Sequence, residues 1–464
     1  YYDTCAMKRK ENDRNQIDML HGPLLKRMVL FALPLMASSI LQLLFTMTDT
    51  AVVGQFAGPQ AMAAVGGNSP VINLLVSLFV GISVGANVVI ARLIGENRKD
   101  RLSSAIYTCV VLAVASGLLL CVIGEVFAET LLRITGVPDD IMDLARLYLR
   151  IYFCATPFIT VYNFCASILR SKGDSRRPLY ILIASGFINV GLNLVFVIVF
   201  HMSVAGVALA TMIANVFSSA VILWMMAREE EPFRLHIRGM KLDKQIIRDV
   251  IRIGIPAGVQ GMVFSLSNTV IQSGINSLGS TCVAGNAAAL NFEGIGFFAL
   301  NSFSQATVTF TSQNYGAQQA ERCKRIWRIG MICGFFACLV VNVGCMLFQD
   351  PLLLLFTKSP EVIAIGKIRM SHVLVFQSLA ALYEVSGSSL RGMGYSMTPA
   401  VMTIFGTCIV RIFWTIAVFP QFGTLDVLLF IYPVSWLLTN VLIQIAFFIV
   451  TRREYKKMAL AGQK

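Results

Sequence analysis

Twelve runs of about twenty apolar residues, parted by short polar loops, leave this chain few ways to fold. A run of that length is what an α-helix needs to cross a bilayer. Inside the hydrocarbon only helices and closed barrels satisfy every backbone group, and apolar runs without strict alternation fit helices. The runs fall at residues 28–47, 71–93, 105–123, 147–169, 179–200, 204–226, 250–275, 281–310, 329–348, 370–390, 399–419 and 427–450. Only 14% of the 464 residues are charged, against roughly 25% in soluble domains. The expected fold is an all-α integral membrane protein of twelve transmembrane helices.

The net charge of +13 does not point to nucleic acid, because the basic residues sit in the loops between spans. Placing both termini in the cytoplasm puts 31 of the 38 Lys and Arg on the inner side. Six lie outside (Arg133, Arg146, Arg150, Lys358, Lys367, Arg369), and Arg411 alone falls within a span. The loops following spans 1, 5, 7 and 11 carry none. The positive-inside rule therefore sets N- and C-termini in the cytoplasm of a multi-pass protein of the plasma membrane. The first span is too long for a cleaved signal peptide. Residues 1–17 read as a polar, disordered tail, with Met7 as a natural start and Tyr1–Ala6 as upstream or added sequence. The eleven cysteines lie mostly within spans, with no CxxC pair and no zinc spacing, and read as small packing residues.

The chain repeats itself. LRSKGDSRRP (169–178) and LRGMGYSMTP (390–399) pair Arg170 with Arg391, Gly173 with Gly394, Ser175 with Ser396 and Pro178 with Pro399, at an offset of 221. The same offset pairs Gly58 with Gly279, Gly95 with Gly316 and Arg101 with Arg322, and it slips by one at Pro34 and Pro256. Each copy spans six helices, an even number, so the copies are parallel repeats about an axis along the membrane normal. The expected domains are an N-lobe at 18–226, a cytoplasmic linker at 227–249, a C-lobe at 250–451 and a cytoplasmic tail at 452–464.

Charges inside spans are costly, and in general they mark ion paths or partners. Asp49 is the one carboxylate of the helical stretch Arg27–Gly58, which carries Pro34 fifteen residues earlier. It reads either as an ion site or as a residue at the outer headgroup level. Pro34 and Pro256 each remove a backbone hydrogen bond and kink their helices, which makes them hinge candidates. In the second copy Glu293, Glu384 and Arg411 lie within apolar sequence. Glu384–Arg411 is the expected ion pair, the two spans being neighbours in sequence. Glu293, without an evident partner, is the candidate for attracting a cationic substrate or carrying a proton. Gln260, Met262, Phe292, Phe297 and Phe298 lie near polar or glycine-rich patches and are the candidate lining of a substrate cavity. The pairs Gly81/Gly85, Gly254/Gly258 and Gly330/Gly334 have the GxxxG spacing that lets helix backbones approach closely.

With these residues in view the chain resembles the multidrug and toxic compound extrusion (MATE) family, on its bacterial DinF-like and MepA-like branch. The resemblance rests on the Pro34-to-Asp49 spacing, VVGQFAG, ARLIGENRKD, ILRSKGDSRRP, NVGLNLVFV and VAGVALAT, and covers Ile17 to Arg453. It implies a drug/cation antiporter with two six-helix lobes and alternating access. It also implies a cation site built around Asp49 with Asn189, Asn193 and Thr211. Asn189 and Asn193 stand four residues apart and share a helix face. Their amide oxygens suit Na⁺, and their NH₂ groups suit a carboxylate. A desolvated carboxylate could carry a proton instead. Many relatives have Asp where this chain has Asn193, so Asp49 works alone or shares coupling with Glu293 or Glu384.

The expected function is export of amphipathic, mostly cationic small molecules in exchange for H⁺ or Na⁺. No cofactor, nucleic acid or partner protein is called for, and a monomer in the lipid bilayer suffices. The alternatives are a lipid-linked precursor flippase of the same superfamily and an integral-membrane enzyme. The flippase is disfavoured because Arg411 is the one clear intramembrane base. The enzyme is disfavoured because the four His are scattered and no P-loop appears.

Overall fold

The structure, a computed structural model, describes residues 16–135, 137–236 and 241–461. Among these the long elements are all helices: α1 (Leu24–Phe56), α2 (Pro59–Gly95), α3 (Lys99–Ile134), α4 (Met142–Ser171), α5 (Arg176–Val199) and α6 (Ser203–Ala227). The second copy follows as α7 (Lys244–Ser277), α8 (Ser280–Gly316), α9 (Ala320–Leu347), a short α10 (Gln349–Leu354), α11 (Pro360–Gln377), α12 (Ala380–Gly392), α13 (Met397–Phe422) and α14 (Leu425–Leu460). Eleven of the described helices are long and apolar enough to cross a membrane. The twelfth expected span is the pair α11 and α12, bent by 45°. The break falls at Ser378–Leu379, where the first copy carries Pro157 inside an unbroken α4.

The sequence repeat reappears in the backbone. α2 and α8 are both 37 residues long and begin 221 residues apart. Gly58 and Gly279 precede them at φ 92° and 101°, and Gly173 and Gly394 turn at 101° and 92°. Asn97 and Gln318, also one offset apart, take the left-handed conformation at 55° and 57°. A side chain there is strained, and the fold repeats the strain at the same place in each copy.

The chain forms two compact units, and they do not follow chain order. The first takes Ala37–Gly258 with the described residues up to Asp18; the second takes Met19–Met36 and Val259 onward. α1 therefore changes unit two residues after Pro34, and α7 two residues after Pro256.

In the first unit the glycines of α2 and α7 face each other. A Cβ on Gly81 would strike the backbone of Gly258, one on Gly85 the Val250 carbonyl, one on Gly254 the backbone of Ile82 and one on Gly258 the Leu78 carbonyl. Only glycine permits backbones that close, so the two GxxxG patterns serve packing. The tail expected to be disordered through residue 17 is in place by Ile17, whose N–H donates to the Gly173 carbonyl at 3.1 Å. Residues 1–15, with the expected start at Met7, lie outside the described residues.

The α4–α5 loop, the LRSKGDSRRP motif, holds a buried ion cluster. Lys172 Nζ donates to Glu229 at 2.7 Å, and Arg177 bridges Asp174 and Glu229. Phe233 lies under Lys172 at 4.7 Å. Burial works against the charge on Glu229, yet hydrogen bonds from Lys172 and Arg177 outweigh it and hold the carboxyl below its ordinary range. Asp243 is likewise held low by its bond from Arg101 at 2.6 Å.

In the second unit Met19–Gly22 is held by α8 and α9. Asn314 and Arg322 both donate to the Met19 carbonyl at 3.1 Å. Phe31 meets Phe310 edge-on at 5.7 Å.

Candidate functional site

The first unit brings Asp49, Asn189, Asn193 and Thr211 together. α5 carries both asparagines one turn apart on its buried face, with Asn193 fully buried and Asn189 nearly so. Asn193 Nδ2 donates to Asp49 Oδ1 and also reaches Asn189 Oδ1 at 3.2 Å. Asn189 Nδ2 in turn donates to Thr211 Oγ1 at 3.2 Å. The amides form a relay from the hydroxyl of α6 to the carboxylate of α1. Seven residues of α1 follow Asp49 before the helix ends at Phe56.

Small residues make this approach possible. Gly186, one turn before Asn189, lies under the Phe45 ring, one turn before Asp49. A methyl there would overlap that ring, so α1 and α5 meet closely only because α5 has no side chain at 186. Gly206 does the same for α6, where a Cβ would lie 2.9 Å from Phe196 Cβ. α5 then widens into a π-helical turn at Val195–Val199, two residues beyond Asn193. Such turns are frequent at functional sites.

Chemically the group holds one carboxylate and three neutral polar side chains. Asn193 Oδ1 is buried and accepts no hydrogen bond, a deficit of roughly 1–3 kcal/mol for an unpaired buried acceptor. An oxygen on a side chain that also meets a carboxylate is suited to a hard cation or to a carboxylic acid proton. Among the described residues no group of three His, Cys, Asp or Glu could hold a metal. This donor set of one carboxylate and amides is of a different kind.

The charged candidates of the second unit are arranged otherwise than expected. Glu293 has a partner: Arg369 Nη2 and Nε donate to its Oε2 at 2.6 and 3.0 Å. Arg369 also donates to Asn286 at 2.6 Å and to Tyr432 at 3.3 Å. This corrects the placement of Arg369 in an outer loop. α11 starts ten residues before the expected span, and the guanidinium is only 2% exposed. It also makes Arg369 a second buried base on a candidate span, beside Arg411.

The expected Glu384–Arg411 pair is not formed. Arg411 donates to Ser435 at 3.0 Å and Asn268 at 3.1 Å, with Tyr432, Phe264 and Trp436 around its guanidinium. At 1.5 Å per residue, Glu384 lies about 12 Å from the end of α12 and Arg411 about 21 Å from the start of α13, so the two are at different depths. Among the cavity candidates, Gln260 accepts from Arg391 at 2.7 Å. Phe292 packs in a core with Ala288, Leu353 and Leu374. Phe297 and Phe298 are neighbours at 6.4 Å, with Phe297 against a second core, and Met262 is half-buried.

Comparison with known proteins extends these observations over the chain. The MatE family profile matches residues 34–195 and again 256–416, once per copy of the repeat. The chain is 28% identical over 387 residues to "Probable multidrug resistance protein YoeA" of Bacillus subtilis, covering 82% of this chain and 84% of that one. It is 26% identical over 395 residues to "Probable multidrug resistance protein NorM" of Thermotoga maritima, covering 83% and 84%. A solved structure described as the outward-facing conformation of a multidrug resistance MATE family transporter superposes with a TM-score of 0.88. It is 22% identical and covers 95% of this chain and 99% of its own.

Proposed function

The chain belongs to the MATE family of membrane transporters, and from that premise we propose that it exports amphipathic, mostly cationic small molecules against an inward flux of H⁺ or Na⁺. The observation that carries the coupling role is the Asp49 relay. A costly intramembrane carboxylate is hydrogen-bonded by a buried amide whose own oxygen is unsatisfied. Asn193 serves either ion. Its NH₂ stabilises the carboxylate; turned through 180°, its oxygen accepts from a protonated Asp49 or ligates Na⁺ beside it. Thr211 and Asn189 supply the remaining neutral oxygens. Pro34 and Pro256 act as hinges in alternating access, a role supported by the change of unit two residues after each proline. The protein works as a monomer in a bacterial plasma membrane with both termini cytoplasmic, as the lysine and arginine asymmetry supports.

Proteoliposomes carrying a Na⁺ gradient or a pH gradient separately test this reading. One of the two is expected to drive efflux of a fluorescent dye cation. Asp49→Asn should abolish the driven component while dye still binds, and Pro34→Ala should slow conformational exchange. Dye efflux indifferent to both gradients would refute the antiport. A second reading, export of an anionic or lipid-linked substrate, is favoured by one observation: Arg411 has no carboxylate partner and its Nη2 is buried without an acceptor. Inhibition of dye cation efflux by an anionic competitor, relieved by Arg411→Gln, would select that reading.

A further inference from the structure

Between α9 and α14, at the ends bearing the basic loops, lies a cleft of about 670 Å³. It is lined by Lys324, Arg328, Arg452 and Lys456 around Trp327, Phe447, Phe448, Thr451 and Tyr455. We infer that this cleft is a binding site for an anionic phospholipid of the cytoplasmic leaflet, with the phosphate held by Arg328, Arg452 and Lys456 and the acyl chains laid on the aromatic floor.

The bases come as two i, i+4 pairs, Lys324/Arg328 on α9 and Arg452/Lys456 on α14, so each pair stands on one helix face. No carboxylate lines the cleft. The nearby acids are already engaged: Glu321 takes Lys324 at 2.6 Å, and Glu454 takes Lys457, Tyr315 and Tyr395 at 2.7 to 2.9 Å. Arg328, Arg452 and Lys456 therefore face the cleft as net positive charge.

The floor is set in advance. Trp327 stacks on Phe447 at 4.8 Å, meets Phe448 edge-on at 6.0 Å and anchors its indole N–H on Ser386 at 2.9 Å. Lys324 lies over the Tyr455 ring at 5.3 Å, and the Tyr455 hydroxyl is buried without a hydrogen-bond partner. Along α14 the phenylalanines precede Arg452 by four and five residues, about 6–8 Å deeper into the apolar span. Phe448 is 58% exposed there. Bases at headgroup level above an aromatic surface at acyl level match a phospholipid; a free phosphate ion would use the bases alone. The leaflet follows from the orientation proposed above, while the headgroup chemistry does not depend on it.

The probe is dioleoyl phosphatidylglycerol, with dioleoyl phosphatidylcholine as the neutral comparison, added to the full-length chain in detergent and read by native mass spectrometry. The wild type should retain phosphatidylglycerol preferentially. At about fivefold per basic residue, Arg328→Gln/Arg452→Gln/Lys456→Gln should lose that preference by on the order of 100-fold. Removing the same charge at the exposed Arg98, Lys99 and Lys244 should leave it. A triple variant as selective as the wild type overturns the inference. So does displacement of the lipid by glycerol phosphate at equal concentration, which would assign a phosphate site instead. A second measurement needs no charge variant. Brominated phosphatidylglycerol in nanodiscs should quench Trp327, read as the difference between wild type and Trp327→Phe, more than brominated phosphatidylcholine; equal quenching refutes the site.

Discussion

Gly186→Ala is the most direct test of how α5 positions the Asp49 relay. The new methyl would overlap the Phe45 ring; the most distant of its three nearest atoms, Cδ2, is 2.6 Å away, against an ordinary contact of 3.4 Å or more. Either the ring leaves its rotamer or α1 retreats by roughly 1.5 Å, and overpacking of this kind costs about 1–3 kcal/mol. A retreat falls on Asp49, one turn along, and on the bond it accepts from Asn193. A hydrogen bond to a charged group contributes about 1.5–3 kcal/mol, so its loss corresponds to roughly a 10- to 100-fold change in ion affinity. Gradient-driven dye efflux in proteoliposomes should therefore fall at least tenfold at a fixed gradient and recover when the driving ion is raised. Phe45→Leu removes the ring atoms that the methyl meets. The double variant Gly186→Ala/Phe45→Leu should return most of the activity, with Phe45→Leu alone close to wild type. Wild-type efflux in Gly186→Ala, or no recovery in the double variant, would refute the claim that the close approach at 186 sets the relay.

Two further outcomes follow from the buried charges. Glu293→Gln leaves Arg369 buried without its carboxylate and should destabilise by roughly 3–5 kcal/mol, whereas Glu293→Leu/Arg369→Met should regain most of that. Thermal unfolding in detergent reads both. Unchanged stability in Glu293→Gln, with pH-driven efflux lost, would make Glu293 a proton carrier instead. Glu229→Gln breaks the loop cluster and should cost about 3 kcal/mol. Because the Glu229 and Asp243 carboxyls are held low in the folded state, their contribution is fully present above the unfolded carboxyl range near pH 4. It is lost as pH falls through the lower folded values. Unfolding midpoints should be flat from pH 5 to 8 and drop below pH 4, less steeply in Glu229→Gln.

Much of this was legible in the residues because a repeat reports geometry as well as descent. The offset of 221 pairs Gly58 with Gly279 and Gly173 with Gly394, and all four take positive φ. The Asn189/Asn193 spacing named a helix face, and that face meets Asp49. The failures share one cause: apolar windows locate the middle of a helix and miss its polar ends. The apolar window that starts at Met370 leaves Arg369 in a loop, although α11 begins at Pro360. With Arg369 outside the apolar window Glu293 has no evident partner in the sequence, and Arg411 pairs with Glu384 by nearness in sequence alone. Depth along antiparallel helices was the missing quantity. The π-helical turn after Asn193 has no comparable signature, since it depends on how the neighbouring helices pack.

The two places where a helix changes unit also set an order of assembly. Once α1 to α6 have been inserted, the first unit still lacks Lys244–Gly258. The opening stretch Met19–Met36 has meanwhile been made for a unit whose other helices do not exist. Neither unit closes from one half of the chain. Biogenesis therefore carries a waiting step, in which α1 stands half-lodged until α8 and α9 arrive and the glycines of α2 lie uncovered until α7 is inserted. A chain severed within the linker would yield two fragments, each missing a piece of its own unit and bearing a piece of the other, and they would need to find each other in the bilayer to become either one.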